Sequence, residues 1–456
     1  MQISSEGGPT KVETRSLAYV LFLAAIVAIS GFLLGFNTAV ISGVLVFLRR
    51  QFELSNAATE TATSAILLGC LLGAAGASLI GDRFGRRKSL LFTAVLFAAA
   101  TALTALANSI VVFSIGRLAG GLAIGLSSVL TPVYITEIAP ARHRGLLVSM
   151  NQMAIVVGIL IAYLVNWSLA GFGDNSWRWM LGVAIVPALA FFFGLLGVPE
   201  SPRWLISHDQ LEKGRQILNR LYGAVEADAQ LAQVEKASGG EQGSWGEVFA
   251  RPMRRPLTIA LGLAILCQIT GVNAVLYYGA ILISEHVPGQ TTNSALFASV
   301  AIGLANLICT LVAMRLLDRW GRRPMLLTAT GGMAISLAVL VLSLRVASMP
   351  AYVVLGCIIS YTSFFALGMG PVPWVVISEI FPNKIRGRAA SLATSVLWTG
   401  TLLVTLTFLS MIRALGVSGT FMVFAGLSAF SFVFIWSIVP ETRGKTLEEI
   451  QQQWGN

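Results

Sequence analysis

The order of apolar and polar positions divides almost the whole chain into long apolar segments joined by short polar loops. A helix of about 20 apolar residues is enough to cross a bilayer core about 30 Å thick. A sliding window of about that length predicts twelve such helices, near residues 17–46, 59–80, 89–108, 112–136, 146–168, 178–198, 257–284, 293–317, 325–346, 351–379, 388–411 and 418–439. The expected fold class is therefore an all-α membrane protein with twelve transmembrane helices.

Composition supports the membrane assignment. Hydrophobic residues make up 55% of the 456 residues and charged residues 11%, whereas a water-exposed globular protein has about a quarter charged residues. The 31 basic residues outnumber the 21 acidic ones, but arginine-rich loops explain this excess without a nucleic-acid partner. The four cysteines lie singly in apolar stretches, at Cys70, Cys267, Cys309 and Cys357. No disulfide, metal site or cofactor is predicted.

Loop charge predicts the orientation in the membrane. One set of short loops holds arginine clusters such as those at 83–88 and 319–323, whereas the loops on the other side hold few basic residues. By the positive-inside rule the arginine-rich loops and both termini are cytoplasmic, and the protein is expected in the plasma (inner) membrane. The long connection at 200–256 is then cytoplasmic as well. Its apolar residues recur at helical spacing, which predicts short amphipathic helices.

The two halves of the chain repeat each other. GDRFGRR at 81–87 recurs as LDRWGRR at 317–323, and EIAP at 137–140 recurs as EIFP at 379–382. Each half has six spans, and an even number keeps the two halves parallel, related by an axis along the membrane normal. The predicted division is a tail at 1–15, a six-helix bundle at 16–199, a linker at 200–256, a second bundle at 257–440 and a tail at 441–456. The binding site is expected between the bundles.

Longer motifs extend over nearly the whole chain. They include GDRFGRRK at 81–88, PESPRW at 199–204, GVNAVLYY at 271–278, GPVPWVVISEIFPNKIRG at 370–387 and PETRGKTLEE at 440–449. In these motifs the chain resembles the sugar porter family of the major facilitator superfamily. The resemblance implies the major facilitator fold and alternating-access transport of a neutral monosaccharide, a hexose such as glucose, by a monomer in membrane lipid. A transport-inactive sugar sensor and a membrane enzyme are the rival classes, but the spans contain no catalytic arrangement.

A sugar offers many hydroxyl groups and no charge, so its site needs amides and aromatic side chains. Polar and aromatic residues of this kind lie at midspan, and the expected substrate-binding set is Gln152, Gln268, Asn273, Tyr278, Asn306, Phe365, Trp374 and Trp398. Tyr277 lies in the same stretch as Tyr278. The alternative is that these residues only hold helices together in lipid. The resemblance implies that all of this set except Tyr278 and Phe365 contact or enclose the sugar, and that Cys267 and Leu397 replace hydrogen-bonding residues of the family.

Two prolines interrupt the tenth span. Gly370, Pro371 and Pro373 form a candidate gate hinge, because proline removes helical hydrogen bonds and kinks a helix. The alternative is a static kink. The resemblance favours a moving gate.

Charges at equivalent positions of the two halves form a candidate cytoplasmic latch. They are Asp82, Arg86, Glu137, Arg144 and Glu200 in the first half and Asp318, Arg322, Glu379, Arg386 and Glu441 in the second. An ionic network across the seam would stabilise only the state in which the cytoplasmic side is closed. The alternative is that these charges only set the orientation of the protein in the membrane. That would explain the arginines but not the glutamates at matching positions.

Energy coupling is expected to depend on the first and fourth spans. A proton symporter needs a titratable group inside the membrane. The resemblance places an aspartate, paired with an arginine, where this chain has Asn37 and Arg117. No carboxylate is expected at midspan, because the other acids near the membrane lie at span ends or in loops, at Asp82, Glu137, Glu200, Glu285, Asp318, Glu379 and Glu441. The sequence therefore predicts uniport, that is facilitated diffusion, with proton symport as the alternative.

Overall fold

The computed structural model describes residues 11–140, 143–223, 227, 228, 231, 244–286, 291–346, 350–382, 384–441 and 443. Within these residues every regular element is a helix. The first half contains α1 (Lys11–Gln51), α2 (Asn56–Phe84), α3 (Arg86–Ala105), α4 (Ile110–Ile138), α5 (Arg144–Leu169), α6 (Ser176–Gly182) and α7 (Ile185–Leu196). The linker contains α8 (Pro202–Ser207), α9 (Leu211–Tyr222) and α10 (Trp245–Val248).

The second half starts after a short 3₁₀ turn, Arg251–Met253. It contains α11 (Arg254–Ile269), α12 (Val272–His286), α13 (Thr292–Trp320), α14 (Arg322–Ser343), α15 (Ala351–Phe364), a π-helical turn (Phe365–Met369), α16 (Val372–Ile380) and α17 (Arg386–Ile438). Eleven helical segments of the described residues are long and apolar enough to cross a membrane. The prediction of an all-helical membrane fold is confirmed.

The helices differ from the predicted spans where the backbone breaks. The sixth, seventh and tenth spans are each divided into two helices, as α6 with α7, α11 with α12, and α15 with α16. Conversely, the eleventh and twelfth spans form the single element α17. Only Gly416 inside it has a non-helical backbone (φ 72°, ψ 169°), and it separates two arms that correspond to the two predicted spans. α17 therefore accounts for the difference between eleven segments and twelve predicted spans.

The linker forms short helices, as its apolar spacing predicts. Leu218 and Leu221 of α9 are buried, and Leu218 packs with Ile206 of α8. Leu211, at the start of α9, is 44% exposed. The first apolar residue of this helix therefore does not belong to its buried face. The predicted tails at 1–15 and 441–456 lie mostly outside the described residues, and α1 already begins at Lys11.

Small residues allow the helices of the first half to approach closely. Gly121 of α4 lies against the Ile66 backbone of α2, and a Cβ added at Gly121 would overlap the Ile66 carbonyl oxygen. Gly35 of α1 lies in the same way against the carbonyl oxygen of Ile155 in α5. In lipid the hydrophobic effect does not drive helices together, so close backbone packing of this kind carries much of the stability.

We predict that Gly121→Ala lowers the stability of the protein, because the added methyl group must push α2 and α4 apart at a cost of about 1–3 kcal/mol. Gly426→Ala is the matched control, since a Cβ at Gly426 would meet nothing within 4 Å and alanine is the better helix former. Melting temperatures of the two purified variants measure the difference. Equal melting temperatures would contradict the packing argument.

Candidate functional site

The break between α11 and α12 creates a polar site inside the second half. Gly271 has φ +92°, a conformation that other residues rarely adopt, and a Cβ there would collide with the Phe424 ring. Gln268 thus lies at the end of α11 and Asn273 at the start of α12, and the Asn273 amide donates a hydrogen bond to Oε1 of Gln268. Gln268 is 6% exposed. The structure therefore brings together two of the predicted sugar-binding amides.

The tenth span breaks beside this pair. The π-helical turn places the backbone N–H of Gly370 on the Phe365 carbonyl at 2.9 Å, and α16 begins directly after Pro371. The Cys267 thiol donates to the Met369 carbonyl at 3.0 Å, so α11 is tied to this turn. The predicted interruption at Gly370, Pro371 and Pro373 is present. Its movement as a gate stays a prediction.

Tyr277, rather than Tyr278, lines the cavity between the halves. Tyr278 is fully buried, its ring stacks on Phe408 at 5.4 Å, and its hydroxyl donates to the Thr405 carbonyl. Tyr277 lines a small cavity together with Trp398 of α17 and residues of the first half. Helical periodicity explains the difference, because Tyr277 is four residues after Asn273 and shares its face, whereas Tyr278 is turned away. The sequence predicts Tyr278 as the binding residue and offers Tyr277 only as its neighbour in the same stretch.

The other predicted sugar-binding residues lie on separate helices. Asn306 of α13 is 8% exposed and accepts a hydrogen bond from Thr310. Gln152 of α5 is half-buried, and Trp374 of α16 is 38% exposed. Among the described residues none of the three hydrogen-bonds to Gln268 or Asn273. α5 and α13 are nevertheless neighbours, since Gly303 of α13 packs on Leu160 and Tyr163 of α5.

Asn37 and Arg117 are in contact through two long hydrogen bonds. Arg117 donates to the side-chain oxygen of Asn37 at 3.5 Å and to its backbone carbonyl at 3.3 Å. The amide nitrogen of Asn37 donates to the Leu33 carbonyl. Arg117 is only 2% exposed, so an arginine between α1 and α4 is buried against a neutral partner.

The helix ends at the arginine-rich loops, here called the arginine face, carry the same cluster in both halves. Glu200 accepts hydrogen bonds from the backbone N–H groups of Arg86 and Arg87, at 2.8 and 3.0 Å, and so caps the start of α3. The Arg86 guanidinium pairs with Glu137 of α4 at 3.1 Å and with Asp82 at 2.9 Å. A carboxylate at a helix N-terminus also stabilises the helix dipole.

The second half repeats this geometry. Glu441 accepts from the N–H groups of Arg322 and Arg323, both at 3.0 Å, and Arg322 pairs with Glu379 of α16 at 2.8 Å. These bonds join helices of one half to each other. Arg386 donates to the Phe381 carbonyl, and the side chains of Arg144 and Asp318 lie outside the described residues. The latch between halves therefore stays a prediction.

The linker also contacts the second half at the arginine face. Lys384 pairs with Glu247 of α10 at 3.3 Å. The pKa of the Glu247 carboxyl lies below its ordinary value. The largest cause is the hydrogen bond from the Ser244 N–H, and the Lys384 ammonium lowers the pKa further. Both side chains are half exposed, so this pair contributes little to stability.

Among the described residues, several bonds join the two halves near the face opposite the arginine clusters, here called the opposite face. Arg49 of α1 pairs with Glu285 of α12 at 3.0 Å, and Ser42 of α1 accepts from the Ala280 N–H at 3.2 Å. Tyr163 of α5 donates to the Leu276 carbonyl. Toward the arginine face, α2 and α17 share the bond between Ser78 and Ser391.

Glu60 is a buried carboxylate in this seam that sequence reasoning overlooked. It lies in the second turn of α2, is 4% exposed, and accepts hydrogen bonds from the Ser410 N–H at 2.8 Å and the Ser410 hydroxyl at 2.7 Å. Ser410 belongs to α17 of the second half. Its place inside the predicted apolar span 59–80 was the signal in the sequence that could have identified it.

Comparisons with known proteins agree in sequence and fold. A family model described as sugar (and other) transporter matches residues 23–454. The chain is 38% identical to a putative metabolite transport protein, YwtG, of Bacillus subtilis, over 93% of both chains. It is 34% identical to the glucose transporter GlcP of Staphylococcus epidermidis, over 95% of this chain and 97% of that one. It is also 34% identical to an arabinose-proton symporter of Bacillus subtilis, over 98% and 99%.

Solved structures of a proton:xylose symporter, XylE, have the same fold. The form bound to 6-bromo-6-deoxy-D-glucose matches with a TM-score of 0.83 and 32% identity, over 96% of this chain and all of that one. The partially occluded inward-open form of XylE from E. coli matches with a TM-score of 0.84 and 32% identity, over 94% and 100%. The predicted major facilitator fold is confirmed.

We predict that Glu60→Gln loosens the seam at the opposite face, because a neutral amide accepts at one oxygen only and loses the charge-assisted bonds. A hydrogen bond to a charged group is worth about 1.5–3 kcal/mol, which corresponds to a rise of roughly ten- to hundredfold in the population open at that face. The reporter is a cysteine at Ser284, which lines the mouth of the opposite face. Labelling by a membrane-impermeant maleimide measures its exposure.

Asp174→Asn is the matched control, because it removes an exposed acid without a role in the seam. It is expected to leave the labelling rate unchanged. An equal rate in wild type and Glu60→Gln would show that the Glu60 contact does not hold the seam closed.

Proposed function

Because this chain belongs to the sugar transporter family of the major facilitator superfamily, we propose that it carries a neutral monosaccharide, a hexose such as glucose, across the plasma membrane by alternating access. Its family is one of transporters rather than enzymes, and the chain is a multi-pass membrane protein. The observation that carries the proposal is the hydrogen-bonded pair of Gln268 and Asn273 at the break of a membrane helix.

The chemistry of this pair suits a sugar. Both amides offer a donor and an acceptor, as a hydroxyl does, and neither carries charge. Two backbone breaks converge there, at Gly271 and after the π-helical turn, and irregular backbone within a membrane is tolerated only inside protein or beside a water-filled space. Gln152, Asn306, Phe365, Trp374 and Trp398 complete the proposed pathway from neighbouring helices. Tyr277 replaces Tyr278 in it.

Alternating access needs a seam that closes at one face at a time. The bonds from α1 and α5 to the second half near the opposite face support a state closed on that side. In the other state the charge clusters of the arginine face would meet across the seam and form the latch, with the break at Gly370 and Pro371 as the hinge. A spin-label distance across the arginine face tests this directly.

The mode of coupling is proposed as uniport. Asn37 carries no proton, and Arg117 contacts no carboxylate that could replace it among the described residues. Proton symport is the second candidate. The relatives named as arabinose-proton and xylose-proton symporters favour it, and so does the buried Glu60, a titratable group between the halves.

Orientation and assembly are proposed from charge and family. The arginine face is placed in the cytoplasm together with both termini, as the positive-inside rule requires. One chain contains both halves and the whole proposed pathway, so a monomer is sufficient for transport. Protease accessibility of the linker at 200–256 in sealed right-side-out vesicles tests the orientation, since cleavage from outside would contradict it.

We predict that Gln268→Ala and Asn273→Ala each weaken sugar binding. A lost hydrogen bond costs about 1 kcal/mol, so the half-saturating sugar concentration should rise about fivefold. Gln152→Ala is expected to act in the same direction. Asn219→Ala, an exposed amide of α9, is the control and should transport as wild type does. Wild-type half-saturation in all three site variants, measured by uptake of labelled sugar into proteoliposomes, would make these amides packing residues.

We predict that sealed proteoliposomes equilibrate sugar without accumulating it, and that an imposed inward proton gradient leaves the final level unchanged. Asn37→Asp is the variant in which accumulation is expected to appear, because it places a titratable carboxylate beside Arg117. Accumulation by the wild-type protein above the outside concentration, abolished by an uncoupler, would replace uniport by proton symport.

A further inference from the structure

A small cavity lies where α1, α2 and α4 of the first half meet α12 and α17 of the second. Its polar lining consists of Thr38, Thr63, Cys70, Arg117, Tyr277 and Trp398, and the remaining lining residues are aliphatic. About 10 Å³ is open inside it, which is close to the room that one water needs. The lining contains no carboxylate.

Two N–H groups of the residues that line this cavity have no hydrogen-bond partner. They are Nε of Arg117 and Nε1 of Trp398, and the two residues are 2% and 8% exposed. A buried donor without an acceptor costs free energy. One residue with an unsatisfied donor thus lines the cavity from each half of the protein.

The charge of Arg117 is also without a counter-charge. Among the described residues the ionisable groups that interact with this charge are the Tyr277 hydroxyl and the Cys70 thiol, which are neutral when protonated. None of the ion pairs found includes Arg117. Its bonds to Asn37 are long and go to neutral oxygens. A buried cation inside a membrane is costly unless an opposite charge compensates it.

We propose that this cavity binds a small monovalent anion of the chloride class. The anion accepts hydrogen bonds from Arg117 and Trp398 and supplies the missing negative charge. A water molecule would satisfy the donors but not the charge. Chloride is somewhat larger than water and enters with small shifts of the surrounding side chains. Since Arg117 belongs to the first half and Trp398 to the second, the bound anion bridges the seam and stabilises this arrangement of the halves.

The test is the melting temperature of the purified protein as sodium gluconate is replaced by sodium chloride at constant ionic strength. A ligand that binds only the folded state raises the melting temperature and the effect saturates near its dissociation constant. The wild-type protein is expected to show a saturating rise of a few degrees. This outcome does not depend on sugar transport, so it can fail while the proposed function stands.

Asn37→Asp provides the decisive variant, because its carboxylate would lie beside Arg117 and compensate the charge from within. It is expected to lose most of the chloride-dependent rise. Arg178→Gln is the control and should keep it, since Arg178 lies elsewhere, stacked on Trp177. If Asn37→Asp does not fold, Trp398→Phe removes only one donor and should raise the half-saturating chloride concentration several-fold.

Two results would overturn the proposal. One is an equal melting temperature of the wild-type protein in gluconate and chloride. The other is a chloride-dependent rise that is the same in the wild type and in whichever of the two cavity variants folds, which would place the anion elsewhere on the protein.

Discussion

Backbone N–H and C=O groups inside a lipid bilayer must find partners within the protein, and the architecture of this chain follows from that constraint. Uninterrupted helices satisfy it by themselves. Where a helix begins at the membrane boundary, a carboxylate supplies the missing acceptor, as Glu200 does for α3 and Glu441 for α14. Where a helix breaks inside the membrane, the backbone groups find partners within the second half: the Gly271 N–H donates to the Gln268 carbonyl, and the Met369 carbonyl accepts from the Cys267 thiol.

Polar groups also lie along the seam between the two otherwise apolar bundles. Bonds from α1, α5 and Glu60 join the halves near the opposite face, and at the arginine face Arg86 pairs with Glu137 and Arg322 with Glu379 inside their own halves. Such an arrangement can be reversed, because each cluster keeps its half intact while the halves move. Alternating access requires that each half stays rigid and that the contacts between the halves break at one face while they form at the other.

The sequence predicts the helices, the repeat and the Gln268–Asn273 pair well, because apolar length and midspan amides are local signals. It fails where the outcome depends on which side chains meet in space. Tyr277, rather than Tyr278, lines the cavity between the halves as a consequence of helical phase after the Gly271 break. Arg86 and Arg322 select partners in their own halves, and Glu60 acquires its role only from its distance to Ser410.

Alternating access is tested most directly by two spin-label distances between the halves, one at each face. Labels at Lys88 and Arg319 report on the arginine face, and labels at Ala57 and Asn293 on the opposite face; all four residues are exposed. On addition of a transported sugar, the account predicts that one distance distribution shifts to shorter values while the other shifts to longer ones. Two distances that stay unchanged, or that change in the same sense, while sugar is transported would contradict it.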